Sequence, residues 1–235
     1  KMGNSYFKFK QFTVRHDKCA MKVGTDGVLL GAYADCVGRK RCLDVGTGTG
    51  LVALMLAQRS NAKIVGVEIE PNAVVQAKEN VLNSPWSTRV SIIQGDIAAF
   101  ESLKKFDLIV SNPPYFLNSL QAKGSARMQA RHGSEMFYHQ LFIKSAELLN
   151  RTGILQLILP YDLVEFSTSV ALKYNLYLRE ILSVAPKVGG EFKRAIVTLS
   201  LEEGELKENK LEIEKDRHVY TDEYKQLTSG FYLNM

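Results

Sequence analysis

Cysteine, proline and tryptophan are scarce in this chain, and no long apolar run occurs. Its three cysteines, Cys19, Cys36 and Cys42, are odd in number and have neither C-x-x-C spacing nor a cluster of metal-ligating residues beside them. Reduced thiols in a cytoplasmic protein are therefore expected, in preference to a disulfide bridge or a metal site. No apolar stretch approaches the roughly 20 residues of a membrane span, and the opening KMGNSYFKFK lacks the apolar run of a secretory signal. No membrane partner is expected. Internal repeats, low-complexity tracts and domain-separating linkers are also missing. What remains is an ordinary globular composition, 46% hydrophobic and 23% charged over 235 residues, enough for one large α/β core. The chain reads as a single domain over 1–235 and as a monomer.

The formal net charge is only +5, but it is unevenly placed. Residues 1 to 41 hold nine Lys/Arg against three Asp, and residues 202 to 235 hold five against nine Asp/Glu. The basic start interleaves Lys8, Lys10, Arg15, Lys18 and Lys22 with Phe7, Phe9 and Phe12. Such a mixture suits a polyanion with exposed bases, where cations meet phosphate and rings stack. Taken alone, the segment fits better as a solvated edge whose aromatics cap the core.

From residue 41 onward, short β-branched runs alternate with amphipathic ones: RCLDVG, LVALMLAQRS, KIVGVEIE, NAVVQAKENVLN, RVSIIQGD, FDLIVSNPP, FYHQLFIKSAELLN and GILQLILP. This alternation predicts βαβ units and a mainly parallel sheet. YLREILSVAP and RAIVTLSLE, joined by KVGGEFK, predict a closing antiparallel hairpin. EEGELKENKLEIEKD reads as an exposed loop plus an edge strand, and the aromatic stripe of FYHQLFIKSAELL as core. The organisation expected is a basic extension over 1–40, a core over 41–201 and a C-terminal decoration over 202–235.

Asp44-Val45-Gly46-Thr47-Gly48-Thr49-Gly50 sits between a strand and a helix. Glycines at alternate positions allow a tight turn and let a ligand approach the backbone at a helix N-terminus. The spacing is G-x-G-x-G, not the dinucleotide pattern, and Asp44 disfavours a pyrophosphate while attracting an ammonium group. The ligand should carry an amine. Eighteen residues past Gly50, KIVGVEIE ends at Glu68, where a doubly wound sheet places an acceptor for ribose hydroxyls. Asp96, after the third strand, is placed to accept from the amine of a bound adenine, with Ile69 and Ile97 over its faces. The alternative for Glu68 is a solvent-facing strand end.

The fourth strand runs into Ser111-Asn112-Pro113-Pro114-Tyr115-Phe116. Two prolines make a rigid loop that continues neither sheet nor helix. A planar nitrogen is a poor nucleophile because its lone pair is delocalised. The Asn112 side-chain carbonyl and the Pro113 backbone carbonyl can accept both its N–H bonds and bias it towards tetrahedral geometry. Tyr115 offers a stacking face, and Pro113 and Pro114 hold the groups still.

The set LDVGTGTG, VEIE, QGDI and SNPPYF, in this order, resembles the class I S-adenosylmethionine-dependent methyltransferases of the NPPY type. FKFKQFTVRHDKCAMKVGTDGVLLGAYA, FKRAIVTLSLE and VYTDEYKQLTSGFYLNM extend the resemblance to the bacterial tRNA1(Val) adenine N(6)-methyltransferases. The resemblance implies a Rossmann-like fold with a seven-stranded, mostly parallel sheet and an antiparallel C-terminal hairpin strand. It implies S-adenosylmethionine as cofactor, held by Asp44, Gly46, Thr47, Gly48, Gly50, Glu68, Ile69, Asp96, Ile97 and Asn112. Asn112, Pro113, Pro114 and Tyr115 become the catalytic group around the target base, and tRNA the partner. Lys8, Lys10, Arg15, Lys18, Arg127 and Arg131 are expected to meet its phosphates. Thr25 or Asp26, in KVGTDG, is placed to contact or close over the cofactor, and SARMQARHGSE, holding His132, reads as a loop.

Other readings stay open at this stage. A protein glutamine methyltransferase shares the NPPY loop and a planar amide nucleophile, but usually carries a helical recognition domain ahead of its catalytic one. Here only about 40 residues, basic and aromatic, precede Asp44. DNA or ribosomal RNA amino-methylation, or an RNA-binding module without catalysis, are the remaining alternatives.

Overall fold

The computed structural model describes residues 4–19, 22–113 and 125–234, with the backbone alone over 125–134. Two short strands, β1 (Tyr6–Lys8) and β2 (Thr13–Arg15), form an N-terminal hairpin. The core then runs α1 (Thr25–Tyr33), β3 (Arg41–Val45), α2 (Leu51–Arg59), β4 (Lys63–Glu68), α3 (Pro71–Leu82), β5 (Val90–Gln94) and β6 (Phe106–Ser111). There follow α4 (Ser125–Leu148), β7 (Leu149–Pro160), α5 (Val164–Leu172), β8 (Tyr177–Lys187) and β9 (Arg194–Ser200). The chain closes with β10 (Lys207–Asp216), β11 (Val219–Tyr220) and α6 (Asp222–Thr228).

Among the described residues one nine-stranded sheet has the order β11-β10-β8-β9-β7-β6-β3-β4-β5. β9 runs antiparallel to β7 and β8, and β11 runs antiparallel to β10; the other pairings are parallel. β3 and β9 have almost no exposed residue because helices cover both faces of the sheet, which is why they read as continuous apolar runs. One core cluster packs α1, α2, α3 and the hairpin on the first face; the other packs α4 and α5 on the second. In α4, Tyr138, Leu141, Phe142 and Leu148 are buried, as the stripe predicted.

The class of fold and the β8–β9 hairpin match the expectation, but two details need correction. The sheet has nine strands, not seven, because the charged segment after Gly204 adds β10 in parallel beside β8 and then β11. SARMQARHGSE is not a loop; it forms the first part of α4, consistent with the high helix propensity of its Ala, Arg, Met and Gln residues.

The parallel strands decide where a ligand can sit. The chain moves outward from β3 to β4 and β5, then returns to the other side of β3 for β6 and β7. The crevice at that reversal, outside the carboxyl ends of β3 and β6, is the ordinary binding position of a doubly wound sheet.

Close contact of α1 with α2 fixes the helical layer over this crevice. A Cβ on Gly31 would lie 2.6 Å from Met55 Sδ and 2.8 Å from Met55 Cβ. Gly31→Val is expected to lower stability by about 1 to 3 kcal/mol through overpacking, despite the better helix propensity. A urea unfolding midpoint equal to or above that of the unsubstituted protein would show that the helices can separate at no cost.

Candidate functional site

The loop after β3 is tied to the ends of two neighbouring elements. Gly46, Gly48 and Gly50 all have positive φ, at 70°, 55° and 81°, a conformation that excludes most side chains. The N–H groups of Gly46 and Thr47 donate to Val67 O, at 2.8 and 3.1 Å. Gly48 N–H donates to Glu68 Oε2 at 2.9 Å, and Gly50 N–H to Thr47 O at 2.8 Å. These amides are engaged within the protein, so the loop is not a phosphate cradle.

Asp44 lies under this loop and is 2% exposed. Its Oδ2 accepts from the Thr47 hydroxyl at 2.6 Å and from Ala53 N–H at 3.1 Å. Ala53 is in the first turn of α2, where backbone donors lack helical partners, so one carboxylate holds both loop and helix. Burial pushes the Asp44 carboxyl up to about 7; the two hydrogen bonds oppose that rise and the charge of Glu68 adds to it. Glu68 ends β4 and uses both oxygens, Oε2 for Gly48 and Oε1 for Glu70 N–H at 3.0 Å.

These groups border a cavity of about 1500 Å3. Asp44, Gly46, Thr47, Gly48, Glu68, Ile69 and Asn112 all line it. Asn112 emerges from β6 directly after Ser111, whose hydroxyl donates to Val45 O at 2.8 Å and so ties the end of β6 to that of β3. The amide at the end of β6 and the glycine loop therefore face one space. Thr25 and Asp26 also line it, and Asp26 is held by Arg194 at 2.9 Å.

Four sequence-predicted residues stand apart from the cavity, and others lie outside the description. Asp96 is exposed, and its Oδ1 accepts from Ala98 N–H at 2.9 Å. Ile97 is buried in the core on the α4 face, and neither residue lines the cavity. Gly50 caps α2 and packs near Ala77, likewise off the cavity wall. Pro113 is buried; Pro114 and Tyr115 lie outside the described residues, as do the side chains of Arg127, Arg131 and His132.

The N-terminal cations divide into distinct groups. Lys8 is exposed and lines the cavity, and Arg15 is exposed on β2. Lys10 Nζ donates to Ser229 O at 2.7 Å, and Lys18 forms an ion pair with Glu79. Stacking of bases on Phe9 and Phe12 is ruled out by burial: the two rings stack on each other, centroids 4.7 Å apart, inside the core. Sequence reasoning missed Lys193, Arg194, Tyr220 and Tyr232 on the cavity wall. Only the return of β9 against β7 brings Arg194 to Asp26, 168 positions away.

No cluster of three His, Cys, Asp or Glu able to hold a metal occurs among the described residues. Cys19 borders the cavity, but burial and the charges of Glu68, Glu70 and Asp17 push its thiol up to about 11. It is protonated at neutral pH and is no nucleophile.

A family model described as a methyltransferase domain matches residues 38–185. A predicted O-methyltransferase of known structure from Agrobacterium tumefaciens has a similar fold: its TM-score is 0.68 at 19% identity, over 88% of this chain and 96% of that one. The fold and matched domain are thus those of a methyltransferase. A tRNA1(Val) (adenine(37)-N6)-methyltransferase of Bacteroides thetaiotaomicron is 49% identical over 237 residues, covering 100% of both chains. One of the same description from Actinobacillus pleuropneumoniae serotype 7 is 45% identical, over 97% of this chain and 98% of that relative. The chain belongs to the family of tRNA1(Val) (adenine(37)-N6)-methyltransferases.

The raised Asp44 carboxyl has a consequence for stability. Because its folded value exceeds the ordinary unfolded one near 3.9, ionisation costs stability progressively as pH rises from about 4 to about 7. Asp44→Asn keeps an acceptor for Thr47 and Ala53 and removes the buried charge. In the ligand-free protein it should raise the melting temperature at pH 8 and leave it nearly unchanged at pH 4. A shift of equal size at both pH values would contradict the assignment of the charge to Asp44.

Proposed function

We propose that the protein transfers a methyl group from S-adenosylmethionine to the exocyclic amine of an adenine in a tRNA anticodon loop. The base is the one 3′-adjacent to the anticodon, in a tRNA of the tRNA1(Val) type, and the reaction is cytoplasmic. The observation that carries this reading is the 49% identity, end to end, with a relative described as a tRNA1(Val) (adenine(37)-N6)-methyltransferase. The hairpin, the sheet and the C-terminal tail share one apolar cluster, which supports treating the chain as a single methyltransferase domain.

The residues present fit the cofactor. With the loop amides engaged, what the site offers is acceptors: Asp44 for an ammonium group, and Glu68 for ribose hydroxyls. Each Glu68 oxygen accepts one backbone N–H and keeps a second lone pair. Ile69, 63% exposed on the cavity wall, gives an apolar face for adenine. Asp96 bonds the Ala98 N–H through Oδ1 and keeps Oδ2 for the adenine amine. When bound, the cofactor supplies a methyl group made electrophilic by its sulfonium.

The remaining work falls to the chain. The Asn112 side-chain carbonyl and the Pro113 carbonyl accept the two N–H bonds of the adenine amine, localise its lone pair and orient it. Buried Pro113 keeps these acceptors fixed, so little reorganisation is needed when charge develops on the nitrogen. The extra proton leaves to solvent, and no basic side chain is required. Tyr115 supplies the stacking face, a role resting on its place in the sequence; stacking of this kind is worth roughly 1 to 3 kcal/mol per base. A loop nucleotide suits such a site because it costs less to extrude than a paired one.

Purified protein, labelled cofactor and total tRNA should yield labelled N6-methyladenosine mapping to the base 3′ of the anticodon. Label in a release-factor glutamine, with tRNA unlabelled, would replace the adenine reading with amide methylation. Asn112→Ala should lower turnover by roughly 100-fold or more while cofactor affinity stays within a few-fold, because the cofactor-facing carboxylates lie on other strands. Turnover within about threefold of the unsubstituted protein would remove Asn112 from the clamp.

A further inference from the structure

At the amino ends of β3 and β4, on the side of the sheet opposite the glycine loop, lies a hollow of about 760 Å3. Its lining includes seven Lys and Arg residues and, among the described residues, no Asp or Glu. Three of the cations are structural. Arg59 donates to Gly31 O and Ala34 O at 3.0 and 2.7 Å, and Arg89 to Ala57 O, Ser60 O and Ala62 O at 2.9 to 3.0 Å. Those two cap the ends of α1 and α2, and Arg39 pairs with Asp35. Lys40, Lys63 and Lys104 are exposed, and none forms an ion pair with a described residue. Arg41 lies over the Phe106 ring at 4.9 Å, and its Nε is buried without a hydrogen-bond partner. A concave cluster of one sign is unfavourable by itself and favourable around an anion.

We propose that this hollow is a second phosphate site, which grips the RNA backbone at a distance from the target base. The inference rests on the tRNA reading above. The occupant is a polynucleotide and not a lone phosphate, because seven cations spread around one hollow with no acidic residue match a run of phosphates better than a single one, and the same N-terminal hairpin reaches both sites. Trp86 lines the hollow and its ring stands 5.6 Å from that of Phe12, in the turn of the N-terminal hairpin. Lys8, on the same hairpin, lines the cavity. Lys10, in the turn, holds the C-terminal tail at Ser229 O, and Gln58, at the hollow, holds it at Gly230 O. The five-residue strand β3 separates the two ends by about 16 Å at roughly 3.3 Å per residue, a span a folded RNA crosses easily. The target base enters at one end of the sheet while the backbone passes over the hairpin and is held at the other.

The test compares two double variants that remove the same charge, Lys63→Gln with Lys104→Gln in the hollow and Lys207→Gln with Lys210→Gln on β10. Binding of unmodified tRNA is measured over a salt series, with melting temperature and cofactor affinity as controls for folding. The hollow variant should bind about tenfold more weakly near 0.1 M salt and flatten the logarithmic salt slope by about two units, roughly 0.9 per lost phosphate contact. The β10 variant should match the unsubstituted protein. An unchanged slope in the hollow variant, or equal flattening in both, overturns the second site while leaving tRNA methylation standing. Failure of the unsubstituted protein to bind or methylate tRNA overturns both readings.

Discussion

One buried carboxylate sets the terms for the rest of the site. Asp44 stands one residue before the end of its strand, beneath the glycine loop, and a single oxygen holds both the Thr47 hydroxyl and the first turn of α2. Without that bond the loop would have to find other partners for a buried hydroxyl and a helix-end amide, each costing about 1 to 3 kcal/mol if left unmet. β4 passes so close that a Cβ on Gly66 would stand 2.9 Å from the Thr47 side chain, so the loop has no room to relax downward. The loop is therefore rigid before any ligand arrives, and the protein tolerates a carboxyl displaced to about 7 to keep it so. A cationic group on the ligand would stabilise the ionised form, so the feature that weakens the ligand-free fold favours binding.

The adjacent strand shows the same economy. Ser111 ties the end of β6 to Val45, the residue after Asp44, so the amide of Asn112 takes its position from the strand that carries the cofactor loop. Two halves of a bimolecular reaction are thereby referred to one rigid edge of the sheet. That is the arrangement positioning catalysis needs, since small misplacement of either partner is costly.

Much of this was legible in the sequence, for identifiable reasons. Strands buried on both faces give continuous apolar runs, and β3, β4 and β6 were read directly from RCLDV, KIVGVE and FDLIVS. Glycine spacing announced the loop because φ near +70° leaves little choice of residue. Proline pairs announced the rigid exit from β6. The illegible parts are those decided by distant partners. Asp96 reads from the sequence as a ligand-facing acid only; that its Oδ1 also caps the 3-10 turn at Ile97–Ala99, leaving Oδ2, shows only in the structure. Phe9 and Phe12 fit core better than bases on the sequence alone, and their contacts with Trp86 and Tyr232 bear that out. The ninth strand count and the basic hollow likewise depend on pairings that no local pattern encodes, such as β10 joining β8 in parallel.

The reading as a whole joins a family membership established over the full chain to a crevice whose chemistry suits an amine-bearing cofactor and a planar nitrogen. Its most direct test is nucleoside mass spectrometry of tRNA from cells lacking the gene, complemented with either the natural sequence or Asn112→Ala. N6-methyladenosine at the base 3′ of the anticodon should vanish from one tRNA species in the deletion and return only with the natural sequence. An unchanged N6-methyladenosine content in the deletion, or full restoration by Asn112→Ala, would contradict the account.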